Sequence, residues 1–127
     1  MSPVDRSAPP ASGALRSFDF PAVDRRAMPS GLDLRIVSMR RLPMVSLNLF
    51  VRAGEAALEP HAAGLSVLTA DALEGGTRRR SGSALAESLE RIGARVSANG
   101  GWEGTSVGLS CLAERLPEAL GLLAEML

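Results

Sequence analysis

Along this chain the hydrophobic period switches between two and 3.6, and the order of the switches restricts the folds open to it. Leu32, Leu34 and Ile36 alternate with Asp33 and Arg35, and Val45, Leu47, Leu49 and Val51 alternate with Ser46, Asn48, Phe50 and Arg52. Both runs read as half-buried strands. The connection Arg40-Arg41-Leu42-Pro43 is short, and its proline disfavours helix in the residue before it, so the two strands are expected to pair antiparallel. The period then becomes helical. Ala63 to Thr77 places Leu65, Leu68, Ala72 and Leu73 on one expected core face, with Val67, Ala70 and Asp71 opposite and Gly75-Gly76 as the stop. A second helix is expected over Ala84–Ile92, with Ser83 as N-cap, Leu85, Leu89 and Ile92 inward and Gly93 as the stop.

Alternation returns in Ala94–Leu112, which reads as a β-hairpin with its tip at Asn99-Gly100-Gly101 or at Trp102-Glu103-Gly104. A last helix is expected over Glu114–Leu127, with Pro117 tolerated in its first turn and Leu116, Leu120, Leu123, Ala124 and Leu127 as its apolar stripe. Helices grouped between antiparallel hairpins define an α+β fold: one antiparallel sheet with helices packed on one face. The helical pattern runs to the last residue, so the domain is expected to be truncated at its C-terminal end.

Composition narrows the function classes. A chain of 127 residues buries roughly 68–70% of its unfolded surface, enough for a real core. Fourteen basic and fourteen acidic side chains cancel, leaving no global field to attract nucleic acid or anionic lipid. Cys111 is the only cysteine, which excludes an internal disulfide framework and a cysteine zinc knuckle. No apolar run is long enough for a membrane span, which needs roughly 18 residues or more. Residues 1–30 are rich in Pro, Ser, Ala and Arg and read as a flexible lead-in without the apolar core of a secretory signal; Phe18 and Phe20 are the candidates for a short docked edge strand. A cytoplasmic protein is expected, or a periplasmic one if a leader precedes the chain. Arg78-Arg79-Arg80 lacks interleaved aromatics and reads as a solvated turn.

The letters around the first helix carry a family resemblance. Ala63-Gly64-Leu65 leads into it and Gly76-Thr77 closes it, while the loop before it holds Gly54, Glu55, Glu59 and Pro60. Further on stand Gly93, Asn99 and Thr105. In these features residues 31–127 resemble the N-terminal part of the pitrilysin/insulysin-like domain, the inverted-motif zinc peptidases that include the mitochondrial processing peptidase. In that family the helix bears H-x-x-E-H, whose histidines hold zinc while the glutamate acts on a zinc-bound water. In register, the three motif positions fall on Val67, Ala70 and Asp71. Valine offers no lone pair, alanine accepts no proton, and Asp71 supplies at most one of the three protein bonds a catalytic zinc needs.

Three functions follow from the resemblance. The first is a catalytically inactive homologue that holds extended peptide beside an active family subunit. It has no metal or cofactor of its own, the zinc belongs to the active partner, and Asn99, Trp102 and Thr105 are its candidate peptide or interface residues. The second is a metalloendopeptidase whose ligands have moved to Asp71, Glu74 and His61, an oxygen-rich set that favours magnesium or calcium over zinc. The third is a purely structural subunit of a larger complex.

Overall fold

The structure is a computed structural model that describes residues 13–15, 17–39 and 41–127. It divides into two compact units, Met1–Arg40 and Arg41–Leu127.

In the first unit, β1 (Val23–Ala27) and β2 (Asp33–Val37) form an antiparallel hairpin running in register from Val23↔Val37 to Ala27↔Asp33. Its turn closes through Gly31 N–H donating to the Met28 carbonyl at 2.9 Å, and Gly31 sits at φ 87°, where only glycine is unstrained. Two sequence expectations change here. A strand forms at Val23–Ala27, inside the segment read as a lead-in, whereas Phe18 and Phe20 lie in no strand and instead meet edge to face at 5.1 Å. The partner of β2 is β1, not the strand after Pro43. A turn built around Pro29 and Gly31 closes a local hairpin at a smaller cost in chain entropy than a longer connection would. The expected lead-in at residues 1–12 lies outside the described residues.

The second unit holds β3 (Met44–Val51), α1 (Leu65–Leu73), α2 (Gly82–Arg91), β4 (Arg95–Gly100), β5 (Thr105–Leu112) and α3 (Leu116–Met126). The sheet order is β3-β5-β4, antiparallel throughout. Register sets Val45, Leu47 and Leu49 opposite Cys111, Leu109 and Val107, and sets Val96 and Ala98 opposite Leu109 and Val107. These residues therefore share one face of the sheet. That face is covered by Leu85 and Ile92 of the α2 region and by Ala119, Leu122, Leu123 and Met126 of α3. Ser46, Asn48, Ser97, Asn99 and Ser106 alternate onto the other face. The α+β architecture, with helices on one side of an antiparallel sheet, is as the sequence implied.

Helix boundaries and faces differ in detail. The N-cap of α2 is Ser81, whose hydroxyl accepts from Ala84 N–H at 3.3 Å, while Ser83 contacts the Ser81 hydroxyl at 3.1 Å. Gly93 ends the helix at φ 64° as expected. In α3 the buried residues are Ala119, Leu122, Leu123 and Met126, whereas Leu120 is 39% exposed and Leu127 62%. Leu116 and Leu123 of the expected stripe do face the core, but the buried face is rotated away from Leu120, Ala124 and Leu127 toward Ala119, which at 0% exposure lets the helix lie close to β5.

Candidate functional site

The first helix begins without a cap of its own. Gly64 is the N-cap residue at φ 91° and has no side chain to accept from the first free N–H groups. The cap comes instead from the preceding loop. Glu55 Oε2 accepts from Gly64 N–H at 2.8 Å, and Oε1 accepts from Ser66 N–H at 3.0 Å and from the Ser66 hydroxyl. A carboxylate at the positive end of a helix is well placed electrostatically. The Ser66 hydroxyl above all, then the Gly64 amide, hold the Glu55 carboxyl below its ordinary 4.5; desolvation opposes them, and the Ser66 and Val67 amides add smaller contributions in the same downward direction.

Three glycines bring this capped end against the sheet. A Cβ on Gly100 of β4 would overlap the Ser66 carbonyl and the Val67 nitrogen, so α1 approaches β4 as closely as backbone allows. A Cβ on Gly54 would meet the β4–β5 turn, and one on Gly104 would strike the Phe50 ring. The turn is Gly101-Trp102-Glu103-Gly104, closed by Gly101 N–H to the Gly104 carbonyl at 3.0 Å. Of the two tips open in the sequence, this is the second. Glu55 N–H and Ala56 N–H donate to the Gly101 and Trp102 carbonyls at 3.0 and 2.9 Å, and the Thr105 hydroxyl donates to the Ala53 carbonyl at 2.8 Å. Loop and turn are thus tied by two backbone bonds and the Thr105 hydroxyl, and loop and helix end by the Glu55 carboxylate.

Helical spacing now locates the three motif positions. The face of α1 that packs on the sheet is Ser66, Ala70 and Leu73, with Ser66 and Ala70 buried. This corrects the expected core face, since Leu65 and Leu68 are 47% and 65% exposed. It also separates the motif positions. Ala70 is at 0% exposure against the sheet, while Val67 and Asp71 are exposed beside it. Val67, Asp71 and Glu74 follow at i, i+4 and i+7 and form one stripe along the flank of α1. At its end the Glu74 carboxylate accepts from Ala98 N–H on β4 at 3.3 Å.

The other candidates fall in different places. Asn99 alternates onto the sheet face away from α1, Trp102 stands 72% exposed at the turn, and Thr105 locks the loop after β3. The displaced-ligand set does not come together: Glu74 is committed to β4, His61 is exposed in a short 3-10 turn, and among the described residues no three His, Cys, Asp or Glu side chains form a metal-binding group. The motif positions themselves provide one carboxylate, which does not meet the donor set of a catalytic zinc. Sequence reasoning missed the capping by Glu55 and the reach of Glu74. The signal available for the first was a helix entered through Ala63-Gly64, which has no capping side chain.

Comparison with known proteins gives the family. Residues 35–127 match the Insulinase (Peptidase family M16) family, and the chain belongs to it. It is similar to the crystal structure of a peptidase M16 inactive domain from Pseudomonas fluorescens, with 27% identity and a TM-score of 0.77 over 83% of this chain and 26% of that one. A protease from Helicobacter pylori shares the fold, with 16% identity and a TM-score of 0.74 over 84% of this chain and 26% of that one. This chain therefore spans about a quarter of the length of these structures. No curated protein matches it. Among the described residues no helix is long and apolar enough to cross a membrane.

Proposed function

We propose that this chain is a non-catalytic member of the M16 peptidase family that holds extended peptide for a homologous, zinc-bearing subunit. The observation that carries this reading is the occupancy of the H-x-x-E-H positions by Val67, Ala70 and Asp71 on a helix that is otherwise in place. Two zinc ligands and the general base are replaced by a hydrocarbon, a buried methyl group and a lone carboxylate. The likeness to a solved M16 domain described as inactive supports it.

The peptide-holding part rests on β4. It is the terminal strand of β3-β5-β4, and the flank of α1 that bears Val67 and Asp71 runs to its outer edge. An extended peptide can add to such an edge through backbone hydrogen bonds, which require no catalytic side chain. Trp102, exposed on the turn at the end of β4, supplies an aromatic surface for the peptide or the partner subunit.

Metal analysis and a peptidase assay on the purified protein test the first claim. The expected result is no stoichiometric zinc and no cleavage by this chain alone; proteolysis abolished by a chelator would overturn it. For the second claim, a labelled unstructured peptide should bind the protein, and Asn99→Ala, Trp102→Ala or Thr105→Ala should weaken that binding.

A further inference from the structure

We infer that Glu74 is a self-plug on the peptide-holding edge: its carboxylate occupies the backbone donor of Ala98 that an incoming strand must use. This inference rests on the reading of β4 as that edge. In an antiparallel pair, residues opposite one another either exchange both backbone hydrogen bonds or turn both groups outward. Ala98 N–H points to Glu74 and therefore away from β5, and the alternation gives Val96 and Gly100 the same outward set. A row of outward donors and acceptors at every second residue is the template an added strand reads. The Glu74 oxygen, 3.3 Å from Ala98 N, stands where the carbonyl of that strand would stand.

The location of Glu74 strengthens the argument. It is the C-cap residue of α1, which has no basic residue in its last turn. The C-terminal end of a helix carries partial negative charge, so a carboxylate there is locally disfavoured. Glycine or a basic residue would suit the position better. A residue placed against its local preference is expected to answer to another demand, and the contact this carboxylate makes is the one to the edge of the sheet. An exposed hydrogen bond of this kind is weak enough for a peptide to displace and strong enough to reduce its affinity.

The test is fluorescence anisotropy with a fluorescein-labelled, uncharged, unstructured peptide built from Ala, Ser, Thr and Val, on the full chain and on Glu74→Ala and Glu74→Gln. Removing the plug should tighten binding by about three- to ten-fold. The side-chain amide introduced by Glu74→Gln still offers a carbonyl oxygen to Ala98, so the affinity of that variant should stay near that of the parent. Amide hydrogen exchange at Ala98 should accelerate in Glu74→Ala and slow again when peptide is added. If the parent binds peptide and Glu74→Ala binds it no better, the plug is overturned and the peptide-holding reading stands. Equal tightening by both variants would assign the effect to charge and overturn it too. Self-association of Glu74→Ala without peptide capture would also overturn it, making the residue a guard against aggregation instead. Absence of binding by all three proteins would remove the peptide-holding reading and the plug together.

Discussion

Helices α1 and α2 are of similar length and stand side by side in the chain, yet they are oriented by different forces. In α2, Leu85 and Leu89 point inward while Glu87, Glu90 and Arg91 face solvent, with an Arg91–Glu87 ion pair at 3.6 Å. A helix with one polar face has a single way to bury its apolar residues. In α1 the apolar residues surround the axis, and Leu65, Val67 and Leu68 remain exposed while Ser66 and Ala70 are buried. What orients α1 is closeness of approach: small residues on the helix meet Gly100 on the strand, and the capped end is anchored by Glu55. Large residues hold α2, and small ones hold α1.

Substitutions break or sharpen this contrast. The largest effect is expected from Leu85→Ala in α2, which is 2% exposed and should lose about 2–5 kcal/mol of stability in urea unfolding followed by circular dichroism. Next comes Gly100→Ala beneath α1, where the new methyl group meets backbone that cannot rotate away; a loss of about 1–3 kcal/mol is expected. A neutral outcome would mean that the helix can lift without cost.

Acid should reveal the anchor of α1. The Glu55 carboxyl is depressed in the folded chain, so its contribution is fully present above its ordinary value of 4.5 and is lost as pH falls from there through the depressed value. Stability measured against pH should decline in that window, and Glu55→Gln should flatten the decline. The smallest effect belongs to Leu68→Ala on the exposed side of α1, expected within about 0.5 kcal/mol of the parent. A loss as large as that of Leu85→Ala would erase the distinction between the helices.

The same contrast shows which parts of the molecule could be read from letters. Strands β4 and β5 alternate cleanly, as does β3 up to Leu49, and every inward residue of β5 that alternation marked is buried, whereas Val51, expected inward at the end of β3, is 42% exposed. The amphipathic α2 declared its own face. The buried faces of α1 and α3 keep Leu73, Leu116 and Leu123 of the expected stripes but not Leu65, Leu68, Leu120 or Leu127, because hydrophobicity counts leucines, whereas contact distance is set by Ser66, Ala70 and Ala119. The pairing of β2 with β1 was hidden because the charged residues Asp24, Arg25 and Arg26 interrupt the apolar pattern of β1, which has no buried residue. At the candidate site, the flanking Ala-Gly-Leu and Gly-Thr set the expected motif register on Val67, Ala70 and Asp71. That Ala70 lies beneath the helix while Val67 and Asp71 flank it required coordinates. So did the reach of Glu74 to Ala98, a contact across 24 positions of sequence.

The place of β5 between β3 and β4 has a consequence for how the protein comes into being. A ribosome releases β3, both following helices and β4 before it releases the strand that joins them. Until Thr105–Leu112 emerges, β3 has neither its backbone partner nor the leucines and valine it packs beside. Between the release of β3 and that of β5 the nascent chain therefore carries an orphan strand, and β5 is the element that joins β3 to β4 in one sheet.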